Sequence, residues 1–85
     1  MFICRVTGSI ISTRKNELLV GSKFLIVQPI GKEESFVAVD NIGAGVNETV
    51  LVVCGSSARY ACNENMPIDA AIVGIIDEGT YTHEH

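Results

Sequence analysis

The sequence predicts a mainly β protein, a small five-stranded barrel with one short helix, and three observations predict it. Apolar residues come in short runs of four to seven, with a period nearer two than three and a half. Gly, Pro, Asn and Asp punctuate these runs at intervals too short for long helices. The chain has 85 residues, which allows one domain and no second. A sheet of so few short strands exposes two edges unless it closes on itself, so a closed or partly open barrel is the economical solution.

The first strand runs from Phe2 to Ser12. Phe2, Cys4 and Val6 alternate with Ile3, Arg5 and Thr7, Gly8 interrupts, and Ile10-Ile11 resumes. A glycine within a strand marks a bulge or a bend, so this strand is expected to be kinked. Thr13 to Glu17 is polar and reads as a loop. The second strand, Lys23 to Gln28, carries Phe24-Leu25-Ile26-Val27 and is closed by Pro29 and Gly31. The third is Ser35 to Asp40, followed by a loop at Asn41-Ile42-Gly43-Ala44-Gly45. The fourth, Thr49 to Cys54, is β-branched and ends at Gly55. Ser56 to Cys62 is the one helical segment: its hydroxyls can cap exposed N–H groups, and Pro67 forbids continuation past Met66. The fifth strand is Ala70 to Ile76, ending at Asp77-Glu78-Gly79. Residues 1–79 thus read as a single barrel domain and 80–85 as a polar tail, with no repeat and no linker. A barrel of the oligonucleotide-binding (OB-like) type has this element count, which by itself does not assign a ligand.

Composition narrows the partners. Six Lys and Arg against ten Asp and Glu give a net charge of −4 and a pI near 4.9. No phosphate-neutralising surface follows from that balance, so nucleic acid is disfavoured. The 47% apolar content and a mean hydropathy of +0.33 exclude intrinsic disorder. The longest apolar stretch, Ala70 to Ile76, has seven residues, far short of the ~18 that cross a membrane as a helix. The first residues lack a secretory layout, and three cysteines are an odd count, so a cytoplasmic chain with reduced thiols is expected. Cys4 and Cys54 lie inside apolar runs, where a thiol acts as a small buried hydrophobe.

A small self-sufficient barrel should read apolar-in and polar-out along its strands. Phe24 to Val27, Val50 to Cys54 and Ala70 to Ile76 are instead apolar on both faces. One or two helical turns do not cover three strands, and contiguous outward apolar surface marks a contact with another chain. A homo-oligomer is therefore expected.

Catalytic chemistry finds little support. Gly43 and Gly45 invite a phosphate-loop reading, which needs a following helix, a Lys and a hydroxyl residue; here the loop leads through Val46-Asn47-Glu48 into a β-branched strand. The structural alternative is a tight turn at positive φ, a region Asn47 also tolerates. Asp40, Glu48, Asp69 and Asp77 sit at strand ends, where a turn-forming or solvated carboxylate is the commoner role, and nothing in their spacing selects an acid–base pair. His83 and His85 have no third ligand nearby, so no metal site and no cofactor are assigned. Phe2, Phe24, Phe36, Tyr60 and Tyr81 lack the positive groove that makes aromatic side chains base-stacking platforms. A small barrel binding single-stranded nucleic acid or a small ligand is the alternative reading.

Four strings occur in order: Cys4-Arg5-Val6-x-Gly8; Val39-Asp40-x-x-Gly43-Ala44-Gly45-x-x-Glu48-x-Val50-Leu51-Val52; Gly55-Ser56-Ser57-Ala58-Arg59; and Pro67 to Asp77. Their succession resembles the bacterial microcompartment vertex proteins, the EutN/CcmL family, over Met1 to about Asp77. The family's loop commonly reads Gly-Ala-Gly-x-Gly-Glu; Asn47 replaces its last glycine, and the turn is expected to survive. The resemblance implies a barrel protomer that assembles into a cyclic pentamer and caps the vertices of a polyhedral shell in the cytoplasm beside hexameric shell proteins. It implies no catalytic activity and no cofactor. The expected ring-contact or central-opening residues are Gly43, Ala44, Gly45, Asn47, Glu48, Ser56, Ser57 and Arg59.

Overall fold

Each apolar run becomes a strand. The structure, a computed structural model, describes residues 1–11, 21–56, 58 and 68–77. Five strands lie among them: β1 (Phe2–Ile10), β2 (Lys23–Pro29), β3 (Phe36–Asp40), β4 (Thr49–Cys54) and β5 (Ala70–Ile76). They close in the order β1-β2-β3-β5-β4, with β4 pairing back to β1. β3 and β5 pair in parallel and the other neighbours are antiparallel. The longest strand, β1, pairs with two partners: Cys4 lies opposite Pro29 of β2 and opposite Val50 of β4. The expected irregularity is present, because the β1–β2 register shifts between Val6 and Gly8. A bulge increases local twist and bends the strand, which a barrel this small requires. Ser12, the expected end of the first strand, lies outside the described residues, as do Cys62, the tail from 80 to 85 and most of the predicted helix. Of that helix, Ser56 and Ala58 are described, and both are helical.

The barrel interior is filled by Cys4, Val6, Leu25, Val27, Ala38, Val50, Val52, Ala70 and Ile72, with Ala44 added from a loop. Phe2 and Phe36 meet edge to face at 6.4 Å near one end. A second cluster, Val39, Val53, Ala58 and Ala71, lies on the other face of β3, β4 and β5, with Phe24 and Ile68 against it. Part of the outer face of these strands is thus covered from within, and part is left for other chains. The local cause is a turn at Gly55 (φ 67°). Its N–H donates to the Asp69 carbonyl (2.7 Å) and its carbonyl accepts from Ala58 N–H (3.1 Å). Two alanines, Ala58 and Ala71, are small enough to let the layers approach. What stays uncovered is narrower than the sequence implied and includes Val37, Val73 and Ile75, which are 44%, 36% and 38% exposed.

The cysteines divide. Cys4 is fully buried as expected, but Cys54 is exposed. The reason is position: Cys54 is the last residue of β4, where Gly55 turns the chain at the open end of the barrel. Burial, and secondarily the charge of Cys54, pushes the Cys4 thiol above its ordinary value of 9.0. Above that pH the unfolded chain loses a proton that the folded chain keeps, so folding stability falls as pH rises past 9 and is unaffected by this group below it. Urea midpoints measured at pH 7 and pH 10 should show this alkaline loss, and Cys4→Ala should reduce it.

Candidate functional site

The loop between β3 and β4 holds five of the eight residues singled out from the sequence. β3 ends at Asp40, whose residue is 3% exposed. Its carboxylate turns the chain on itself: Oδ1 accepts the Ile42 N–H (3.0 Å) and Oδ2 accepts the Ala44 N–H (2.8 Å). The first contact, two residues on, is the local bond that makes Asp a turn former. Strand register then brings a third participant, because Lys23 of β2 lies opposite Asp40. Its Nζ donates to the Ala44 carbonyl (2.7 Å) and stands 3.7 Å from Asp40 Oδ2.

The second half of the loop is built from Glu48. Its Oε1 accepts the Gly45 N–H (2.6 Å), and its own N–H donates to the Gly45 carbonyl (3.1 Å). The turn is stitched to β1 beside the bulge: Asn47 N–H donates to Val6 O (2.8 Å), and Val6 N–H donates to Glu48 O (2.9 Å). Gly43 and Asn47 take positive φ, 87° and 75°, as the turn reading expects. Gly45 does not. A Cβ there would come 3.2 Å from Glu48 Oε1, so a larger residue would need that carboxylate end to give by a few tenths of an ångström.

Ala44 sits at the centre of this construction, and its side chain is fully buried in the barrel's main cluster. That departs from a residue facing an opening: it is a peg that seats the loop in the end of the barrel. Ile42 and Val46 flank it and are exposed. The other predicted segment lies elsewhere. Ser56 is exposed and follows β4 at its far end, so the six residues of β4 separate it from the loop, about 20 Å of extended chain. Ser57 and Arg59 lie outside the described residues. Sequence reasoning named Asp40 only as a turn former and missed Lys23. Asp40 carried a signal, an Asp at the start of a glycine loop, while nothing local marks Lys23.

Chemically, the loop is a frame. The Asp40 oxygens and Glu48 Oε1 are occupied by the loop's own amides. No group of three or more His, Cys, Asp or Glu side chains is placed to hold a metal ion among the described residues. At the opposite end of the barrel an open groove of about 570 Å³ is lined among others by Phe2, Phe36, Val37, Cys54, Asp69 and Ala70. Its described lining is mostly apolar.

Comparison with known proteins agrees with this architecture. Residues 1–77 match the EutN/CcmL family, described as "Ethanolamine utilisation protein EutN/carboxysome". The chain is 48% identical over 83 residues to the carboxysome shell vertex protein CcmL of Thermosynechococcus vestitus, covering 91% of this chain and 84% of that one. It is 42% identical over 87 residues to the bacterial microcompartment shell vertex protein PduN of Salmonella typhimurium, covering 91% and 96%. Among solved structures it is similar to the GrpN pentameric microcompartment shell protein of Rhodospirillum rubrum, with TM-score 0.78, 45% identity and coverage of 91% and 94%. It is also similar to the pentameric shell protein MSM0273 of the RMM microcompartment, with TM-score 0.88, 36% identity and full coverage of both chains. With the family match spanning all five strands and the carboxylate-framed loop between β3 and β4, this chain belongs to the EutN/CcmL family.

Proposed function

We propose that this chain is a structural shell protein that assembles into a cyclic pentamer and occupies the fivefold vertices of a bacterial microcompartment shell in the cytoplasm. The observation that carries this reading is the similarity, over the full length of both chains, to a shell protein described as pentameric. The remaining exposed apolar residues, Val37, Val73 and Ile75 among them, support it as surface available to a neighbouring copy. A ring requires one patch to meet a different patch on the next copy, with a rotation that closes. Hexameric tiles form flat layers, and fivefold positions supply the curvature that closes them into a shell. In this reading residues 1–79 are the vertex domain and 80–85 a polar tail. Gly43, Gly45, Asn47, Glu48, Ser56, Ser57 and Arg59 shape ring contacts or the central opening, and Ala44 acts from inside by holding its loop in place. The chain works without a catalytic step, cofactor or nucleic acid, and its partners are copies of itself and hexameric shell proteins.

Native mass spectrometry of the purified chain tests the ring. Five times the 9.1 kDa protomer mass is the expected species. A well-folded monomer persisting at micromolar concentration would refute it. Co-purification with hexameric shell proteins tests the shell assignment separately.

A further inference from the structure

Three charged side chains hold the 41–48 loop, and they differ in their access to water. The Asp40 side chain is fully enclosed, at 0% exposure, whereas that of Lys23 keeps 51%. Lys23 nevertheless acts at the loop's centre. Ala44 is gripped through its N–H by Asp40 Oδ2 and through its carbonyl by Lys23 Nζ, while its methyl group is locked in the core. Lys23 Nζ also faces that same Oδ2 atom at 3.7 Å. One solvent-reachable amine thus supports both polar contacts of the one residue that seats the loop. Removing the amine takes the facing cation from an enclosed carboxylate, a loss moderated by the water around the lysine, and takes the donor from a backbone carbonyl, so both losses fall on the loop. The strands are held by their own hydrogen-bond ladders and by the core contacts between strand residues, which do not depend on this amine.

We propose that Lys23 is a charge lever on the 41–48 loop: its positive charge, applied from the solvent side to the enclosed Asp40 carboxylate, keeps Ala44 seated, and neutralising it releases the loop while the barrel stays folded. That the seated loop is the form that joins a ring rests on the pentameric reading above. That Lys23 sets the loop does not.

The test is residue-resolved amide hydrogen exchange on the full chain, comparing the parent with Lys23→Gln and Lys23→Arg. Lys23→Gln should speed exchange at Ile42, Ala44 and Gly45 by roughly ten-fold or more while amides in the middle of β2 and β4 keep their protection, and Lys23→Arg should restore the loop. Unchanged loop exchange in Lys23→Gln, or loop and strand amides accelerating together, would overturn the lever. Dilution followed by native mass spectrometry reads the assembly arm: Lys23→Gln should raise the concentration at which the ring falls apart by about ten-fold, with recovery in Lys23→Arg. A released loop with unaltered ring dissociation would overturn the link to assembly. A parent chain that forms no ring sinks the pentameric reading and leaves the exchange result to decide the lever.

Discussion

Ala44→Glu should destabilise the protein by several kcal/mol, because the loop can no longer seat in the end of the barrel. Ala44 has no exposed surface and packs in one cluster with the core residues of the strands, so four added heavy atoms have nowhere to go without displacing that core. Overpacking of this kind costs about 1–3 kcal/mol. The new carboxylate would also enter beside Asp40, whose Oδ2 already accepts the Ala44 N–H. Burying such a charge unpaired adds several kcal/mol. Against a total stability on the order of 4–13 kcal/mol for a chain of this length, that is a large fraction of the whole. The expected readout is a large fall in the urea midpoint, with Ala44→Gly as the milder control. A Glu variant of parent stability that alters only assembly would place Ala44 at an accessible rim, contrary to its burial.

Asp40→Ala should destabilise the protein by about 2–4 kcal/mol, because it removes two hydrogen bonds to a carboxylate and leaves the buried Ala44 N–H without an acceptor. The ion pair with Lys23 contributes less, since the lysine side chain is half in water. Asp40→Asn separates the parts. Its amide keeps one oxygen acceptor but points an N–H₂ donor at a backbone donor, so about half the loss, roughly 1–2 kcal/mol, should remain. Urea denaturation gives both values as shifts in midpoint at unchanged slope. A loss below about 0.5 kcal/mol for Asp40→Ala would show that the loop takes its shape without this carboxylate.

The contrast between residues shows what can be read before folding. All five strands fall within a residue or two of the apolar runs that predict them, and the β1 bulge falls at Thr7, beside the Gly8 that signals it, because period-two alternation and its interruption are properties of a few adjacent residues. Positive φ at Gly43 and Asn47 is legible for the same reason. Gly45 looks identical in sequence but does not take positive φ, and it sits close beside the Glu48 carboxylate instead. Cys54 looks as buried as Cys4 within its run, yet it ends a strand at the barrel's open end. Of the site, the loop and its carboxylates were visible in the sequence. The inward orientation of Ala44 and the participation of Lys23 were not.

The sequence by itself determined a closed or partly open β-barrel, its strand positions, its turns and its family resemblance, since each depends on local sterics, hydrogen-bonding capacity and an ordered set of short strings. Only the tertiary structure decided which faces are covered and which side chains meet. Lys23 reaches Asp40 because strand pairing puts β2 residue 23 opposite β3 residue 40, and Val53 is buried because Gly55 folds Ala58 back onto it. Such contacts depend on register and closure, which are settled by the whole barrel at once.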